Sequence, residues 1–311
     1  MALYLVTGGA GFIGSNIVEE LLKRGESVRV LDNFITGKRE NLSPFMDKIE
    51  LIEGDIRSKN DLKKALKGAD YILHQAALHS VPKSVDDPFL TNDINVNGTL
   101  NLLFESKKAK IKRVVYASSS SVYGNAKNFP QKEDFDPQPI SPYGVSKLAG
   151  ENYCEAFSET FGLETVSLRY FNVFGPRQNP ESKYSACIPA FLSRMLNGKP
   201  PIVEWDGKQS RDFTYVSDVV EANLKATVAK GISGEVFNIA CGRSISVLDI
   251  ANTINTILGK SLKFKHAPKR QGDVRKTYAD ITKMEKLLDL KPKIQFRKGL
   301  EKTIDWFKKD K

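Results

Sequence analysis

Tyr143 and Lys147 stand four residues apart in Pro142-Tyr-Gly-Val-Ser-Lys147, the pair in this 311-residue chain best suited to moving a proton. Pro142 fits the first turn of a helix, and the helical pattern continues through Leu148, Tyr153, Cys154 and Phe157, so both side chains share one face. A tyrosine with a reference pKa of about 10 is a poor base at neutral pH, and a neighbouring ammonium favours its phenolate. The spacing therefore predicts that Lys147 turns Tyr143 into a proton acceptor. Upstream, Ser118 to Ser121 follow an apolar run from Arg113 to Ala117 and precede Val122-Tyr123-Gly124. A serine cluster is usually a solvated turn, but at the carboxyl edge of a central strand it is placed to line a site.

The chain begins with an apolar run, Ala2 to Val6, that passes through Thr7-Gly-Gly-Ala-Gly-Phe-Ile-Gly14 into an amphipathic stretch reaching Arg24. That order reads as strand, tight turn, helix. It leaves the helix's free N–H groups and positive dipole end facing outward, ready for a pyrophosphate. Gly8 makes the turn, Gly11 admits the phosphate, and Gly14 lets helix and strand pack closely. A second apolar run, Ser27 to Leu31, ends at Asp32, where a carboxylate hydrogen-bonds an adenosine ribose and repels a 2′-phosphate. NAD rather than NADP is therefore the expected cofactor. Tyr143 would then take a proton from a sugar or alcohol whose C–H gives its hydride to NAD, while Lys147 also holds the nicotinamide ribose. The positive charge of the oxidised nicotinamide favours the phenolate further.

These groups need a frame, and the remaining pattern supplies one. Ile49 to Glu53 is a third strand followed by Gly54-Asp55-Ile56, with Asp55 placed to reach the adenine amino group. Asp61 to Lys67 is a helix, and Tyr71 to His74 a fourth strand with a small-residue exit, Gln75-Ala76-Ala77. Asn92 to Lys108 forms a long helix with Ile94, Leu100, Leu103 and Phe104 as apolar positions; Arg113 to Ala117 is a fifth strand, Val166 to Phe171 a sixth, and Glu235 to Ala240 a strand returning to the sheet. Strand and helix alternate without hairpin signals, which predicts an α/β fold, a Rossmann-type doubly wound parallel sheet. Residues 1–171 plus 212–240 are expected to form the NAD-binding domain, and 172–211 plus 241–311 a smaller, interleaved substrate-binding lobe.

Lys and Arg number 47 against 37 Asp and Glu, a formal charge of +10, but the basic residues fall in short dispersed clusters. A solvated surface is the better reading, and nucleic-acid binding the weaker one. The three cysteines are far apart and unpaired in spacing, and the three histidines lack metal-ligand spacing, so neither a disulfide framework nor a metal site is expected. No apolar run approaches a membrane span, and the short N-terminal run is a core strand and not a signal peptide. A cytoplasmic protein with no membrane partner follows.

With these stretches in view, the chain closely resembles the extended short-chain dehydrogenase/reductase family, and within it the nucleotide-sugar 4-epimerases, over nearly its whole length. The resemblance is carried by Thr7 to Gly14, Ser118 to Gly124, Tyr143 to Lys147, Leu168-Arg-Tyr-Phe-Asn-Val-Phe-Gly-Pro-Arg-Gln178, Ser210-Arg-Asp-Phe213 and Arg270-Gln-Gly-Asp273. It implies a catalytic trio of Ser119, Tyr143 and Lys147, with Ser119 on the sugar O4, relaying its proton to Tyr143. The cofactor contacts expected from the turns and the resemblance together are Gly8, Gly11, Phe12, Ile13, Gly14, Asp32, Asn33, Asp55, Ile56, Gln75, Ala76, Ala77, Asn95, Tyr143, Lys147 and Phe171. The resemblance also implies that NAD stays bound and is regenerated in each turnover, and that the chain forms a homodimer through the helices near 92–108 and 142–161.

For the substrate, the resemblance implies a UDP-sugar held at its diphosphate by Asn172, the backbone near Ile188, Arg211 and Arg270, with Asp273 on the uridine ribose and Ser120 beside the trio. Arginine suits that work because its guanidinium fork matches phosphate oxygens. Ser120 and Ser121 replace the Asp-Glu pair of the family's dehydratases, which disfavours dehydration; the decarboxylases are not separated by these positions. Thr277 stands where members restricted to plain hexoses carry a bulky Tyr, and Ser80, Gln178 and Ala186 match the N-acetyl-preferring members. The expected reaction is therefore the interconversion of UDP-N-acetylglucosamine and UDP-N-acetylgalactosamine, with UDP-glucose and UDP-galactose as a second pair. His79 departs from the Gly of the N-acetyl-preferring members and Tyr278 could refill the space, so a UDP-glucose-only epimerase is the alternative, alongside a nucleotide-sugar oxidoreductase or an NAD-binding module.

Overall fold

A computed structural model describes residues 1–179, 187–269 and 274–309. Its core is a seven-stranded sheet built from β1 (Leu3–Thr7), β2 (Ser27–Asp32), β3 (Ile49–Glu53), β4 (Tyr71–His74), β5 (Arg113–Ser119), β6 (Thr165–Tyr170) and a late strand, Val236–Ile239. All its pairings are parallel, in the spatial order β3-β2-β1-β4-β5-β6 and then Val236–Ile239. Parallel strands need helical crossovers, and helices on both faces explain why β5 and β6 are almost wholly buried rather than alternating. β1 pairs with both β2 and β4, so the chain's direction of travel reverses there. A doubly wound sheet opens its ligand crevice at that switch point, outside the strands' carboxyl ends. Thr7, Asp32, His74 and Ser119 are all terminal residues of their strands.

The helices of this half are α1 (Phe12–Lys23), α2 (Lys59–Leu66), the short α3 (Val81–Asp86) and α4 (Pro88–Asn92), α5 (Gly98–Lys108) and α6 (Pro142–Phe161). Two expectations are refined. The fifth strand runs two residues beyond Ala117, because Ser118 pairs with Arg169 and Ser119 with Tyr170. The helix expected to run from Asn92 to Lys108 is instead interrupted by a π-helical turn at Asp93–Asn97. There Asn95 turns inward to bond Leu78, and Gly98 presses on Ile56 so closely that a Cβ would lie 2.6 Å from its Cδ1.

The rest of the chain forms α7 (Cys187–Leu196), α8 (Val216–Val228), α9 (Val247–Leu258), α10 (Thr282–Leu287) and α11 (Phe296–Lys309) around three small sheets. These pair Val173–Phe174 with Thr214–Tyr215, Ser210–Arg211 with Ile245–Ser246, and Ile202–Glu204 with Lys265–Ala267. No helix among the described residues is long and apolar enough to cross a membrane. Phe174 is the aromatic hub, with ring centroids 5.3 Å from Phe296, 5.6 Å from Tyr215 and 6.3 Å from Phe213. Gly299 of α11 lies against the same ring, where a Cβ would come within 2.8 Å of Phe174 Cζ. Because this side chain is fully buried and seats α11, Phe174→Ala should lower the unfolding free energy by about 3–5 kcal/mol in a denaturant titration. A loss below about 1 kcal/mol would mean that the hub does not seat the helix.

Candidate active site

The glycine turn has the shape a dinucleotide needs. Gly8 adopts φ +68°, and a Cβ there would lie 2.7 Å from the backbone nitrogen of Ala76. A Cβ on Gly14 would lie 2.2 Å from the Gly8 oxygen, so α1 packs against the turn with no room for a side chain. Gly11 caps α1 without a side-chain hydrogen bond, leaving the first-turn N–H groups around Phe12, Ile13 and Gly14 for an anion. Asp32 is buried, accepting from the N–H groups of Ala10 and Phe34 at 2.9 and 2.8 Å; desolvation pushes its pKa above the ordinary carboxylate value. Together the bare helix end, the cradle and the acid fit NAD.

The neighbouring loops are braced. Asp55 accepts from Arg57 through Nε at 3.0 Å and Nη2 at 2.8 Å and from Asn33 Nδ2 at 2.8 Å, which holds its carboxyl down at about 2. Ile56 is buried against Gly98. Gln75 bonds Asn223 at 3.0 Å and takes a hydrogen bond from Tyr170 Oη, while the Ala76 N–H reaches Thr7 Oγ1 and Ala77 continues the same exit. His74 sits between Thr7 Oγ1 at 2.7 Å and Thr99 Oγ1 at 3.0 Å, and burial drops its pKa to about 3. It is a neutral strut, not an acid or base at physiological pH.

Two residues expected to touch the cofactor are turned inward by packing. Asn95 is 1% exposed, and its amide bonds the Leu78 N–H and carbonyl and Ser146 Oγ. It therefore shapes the loop after β4 rather than presenting its own amide. The ring of Phe171 is sealed in a small cluster with Tyr123, Ala240 and Ala279, and its N–H donates to the Ile239 carbonyl at 3.1 Å.

At the end of β5 the structure brings Ser119, Tyr143 and Lys147 together. Ser141 caps α6 by accepting from the Gly144 N–H, and Ser84 of α3 accepts from the Tyr143 N–H at 3.1 Å, which fixes where the helix starts. The Ser119 hydroxyl lies close enough to Tyr143 to favour its ionised form. Ser119 Oγ also accepts from Ser121 N at 3.2 Å and Ser121 Oγ at 3.0 Å, inside a 3-10 turn that holds Ser120 partly exposed. Lys147 is buried, donates to the Ala117 carbonyl at 2.8 Å and lies 5.9 Å from the Tyr143 ring centroid.

One electrostatic expectation is corrected. Within the protein alone Lys147 does not carry Tyr143 to the phenolate. Burial pushes the Tyr143 hydroxyl up to about 12, with only the nearby Ser119 hydroxyl opposing it, and pushes the Lys147 ammonium down to about 7. Both charged forms lose water in the same cleft, and desolvation outweighs the attraction at this separation.

Of the residues expected to meet the substrate, Asn172 donates to the Asp212 carbonyl at 3.0 Å, and Ser80 caps α3 by accepting from the Lys83 N–H. Arg211 donates to the Ser210 carbonyl at 2.8 Å and to Val274, while the Ile188 side chain lies in the core on the first turn of α7. Gln178 Nε2 bonds the Val173 carbonyl at 3.1 Å, but its Oε1 and the Oγ1 of Thr277 are buried without a partner. Tyr278 does not refill the space beside Thr277: its ring stacks on Phe129 with centroids 5.7 Å apart. Ala186, Arg270 and Asp273 lie outside the described residues.

The sequence reading overlooked two buried carboxylates. Asp212 accepts from the N–H groups of Cys241, Arg243 and Ala279, and burial raises it to about 6. It ties the strand bearing Arg211 to the segments on either side. Glu151 occupies the helix face of Tyr143 and Lys147, a signal available as Tyr-x-x-x-Lys-x-x-x-Glu.

The fold and this cleft define an NAD-binding enzyme of the doubly wound class. The chain belongs to the NAD dependent epimerase/dehydratase family, which matches residues 4–240, and NAD is its cofactor. Its relatives and structural neighbours include NAD-dependent UDP-sugar 4-epimerases, which are isomerases. A UDP-N-acetylglucosamine 4-epimerase from Methanobrevibacter ruminantium, solved with UDP-N-acetylmuramic acid, superposes with a TM-score of 0.95 at 40% identity, over 100% of this chain and 99% of that one. The Thermus thermophilus UDP-glucose 4-epimerase complexed with NAD gives 0.90 at 35% identity, covering 98% and 99%. A UDP-N-acetyl-alpha-D-glucosaminuronate decarboxylase from Bacillus cytotoxicus is 34% identical, over 98% of this chain and 97% of its own length. Because a Cβ at Gly14 must displace backbone, Gly14→Ala should cut the NAD retained through purification at least about tenfold, read from the nucleotide released on denaturation. Full retention would mean that this turn is not the cofactor's seat.

Proposed function

We propose that this chain is a UDP-sugar 4-epimerase that interconverts UDP-N-acetylglucosamine and UDP-N-acetylgalactosamine, with the UDP-glucose pair as a second substrate. The observation that carries the reading is the juxtaposition of Ser119, Tyr143 and the buried Lys147, which donates to the Ala117 carbonyl, at the mouth of the switch-point crevice. Bound NAD supplies the acceptor, and then the donor, for the hydrogen on C4. With its phenolate favoured by the positive charge of oxidised NAD when that is bound, Tyr143 Oη would take the proton of the sugar 4-hydroxyl, relayed through Ser119 Oγ, and later return it. Lys147 keeps a positive charge beside the ring and holds the nicotinamide ribose. No net oxidation results, so the cofactor is regenerated in each turnover and need not leave.

For the substrate we assign the diphosphate to Asn172, Arg211 and the backbone at Ile188, with Arg270 and Asp273 completing the nucleotide end. Ser80, Ser120, Gln178, Ala186 and Thr277 line the sugar. The N-acetyl preference is supported by the small Thr277 at the position where a bulky Tyr would fill the space, and by the stacking of Tyr278 away on Phe129. Ser120 and Ser121 offer no acid and base for eliminating water. We divide the chain as residues 1–171 plus 212–240 for the cofactor and 172–211 plus 241–311 for the UDP-sugar, and we place it in the cytoplasm, where its three free cysteines stay reduced.

A homodimer belongs to the same reading. Phe104 of α5 and Val145 and Phe161 of α6 are exposed large apolar side chains on the two adjacent helices expected to pair across a two-fold axis. Light scattering should give about twice the 34.7 kDa chain mass, and a monomer at micromolar concentration would remove the dimer. For the activity, the purified protein is incubated without added cofactor with UDP-N-acetylglucosamine and, separately, UDP-glucose, and the 4-epimers are resolved by chromatography or proton NMR. Both sugars should convert, the N-acetyl sugar faster, and Tyr143→Phe should lower kcat by about 10²–10⁴. Conversion of UDP-glucose alone removes the N-acetyl preference; carbon dioxide release from a nucleotide sugar acid, with neither hexose converted, favours the decarboxylase reading that the Bacillus relative represents.

A further inference from the structure

Tyr143, Lys147 and Glu151 recur every four residues along α6 and grip three successive residues of β5. Tyr143 faces Ser119, Lys147 donates to the Ala117 carbonyl at 2.8 Å, and Glu151 accepts from Ser118 Oγ. Glu151 is 4% exposed and Arg169 3%. Their ion pair is two-pronged, with Arg169 Nη2 2.8 Å and Nε 3.0 Å from the two carboxylate oxygens. Arg169 is the register partner of Ser118 on β6, lies 4.7 Å from the Tyr123 ring centroid and donates to the Glu133 carbonyl. A buried pair of this kind costs desolvation and is weak evidence for stability alone. Its place under the proton-moving groups calls for another account.

The surroundings of Lys147 single out Glu151. Tyr116 of β5, whose ring centroid lies 5.0 Å from Nζ, and Cys154 of α6 are pushed far up by burial and are neutral, as is His74 of β4. Tyr143 is likewise pushed up, and His79, on the loop before α3, is pushed below its ordinary value. Arg169 of β6 faces Glu151, whose charge raises Lys147 against burial. We propose that Glu151 is a positioning residue for the Tyr143–Lys147 pair: its carboxylate keeps the Lys147 ammonium protonated and, through Ser118, fixes the strand end that presents Ser119. This rests on the reading of Tyr143 and Lys147 as the proton-moving pair.

The test is to follow the ¹³Cε-lysine NMR signal of Lys147, assigned by its loss in Lys147→Met, through a pH titration of the NAD-loaded protein. In Glu151→Gln the midpoint should fall by at least about one pH unit, and the alkaline loss of epimerase activity should move down with it, because the protonated lysine is the working form. Glu151→Asp, which keeps the charge, should titrate close to wild type. If Glu151→Gln does not fold, the double variant Glu151→Gln/Arg169→Gln removes both buried charges and is expected to show a smaller downward shift, still above about 0.3 unit, because loss of the more distant guanidinium only partly offsets loss of the carboxylate. A midpoint within about 0.3 unit of wild type, accompanied only by a lower melting temperature, overturns the proposal and leaves Glu151 a purely structural group. Absence of epimerisation by the wild-type protein would instead sink the functional reading, with the NMR titration still deciding the part played by Glu151.

Discussion

The structure depends on keeping a charged lysine out of water beside a strand end. Lys147 is buried against β5, with the Ala117 carbonyl as its hydrogen-bond acceptor and Glu151 one turn along the helix. An ammonium in such a place is expensive unless its surroundings compensate for lost hydration. Glu151, which is paired with Arg169, favours the ammonium against burial, and the Ala117 carbonyl accepts its hydrogen bond.

The cofactor side is governed by backbone rather than by side chains. Gly8, Gly14 and Ala76 come so close that each excludes anything larger, and the bare first turn of α1 leaves peptide N–H groups as the anion's partners. Around that turn, polar contacts stiffen the strand ends: Thr7, His74 and Thr99 in one line, Gln75, Tyr170 and Asn223 in another, and Asp55, Arg57 and Asn33 in a third. Such bracing suits a cofactor that is held through many turnovers. The substrate side leaves buried polar atoms without partners, as at Gln178 and Thr277. It is also joined to the cofactor half by Asn16, which donates to the Pro176 carbonyl, and by the Arg177–Glu19 ion pair on α1.

What the sequence by itself determined was set by local chemistry: the glycine spacing that opens α1, the apolar runs that become the first six strands, Asp32 at a strand tip, and Tyr143 and Lys147 on one helical face. Each follows from neighbours within a turn or a strand, where period and residue type suffice. Tertiary structure alone decided which groups lose water and which distant chains they meet. It placed Asn95 and the Phe171 ring inside the protein, stacked Tyr278 on Phe129, and joined Glu151 to Arg169 across 18 positions of sequence. It also pushed the Tyr143 hydroxyl up to about 12 where spacing alone pointed to a phenolate. The physical reason is that a pattern of residues records proximity along the chain, whereas desolvation depends on everything the fold packs around a group.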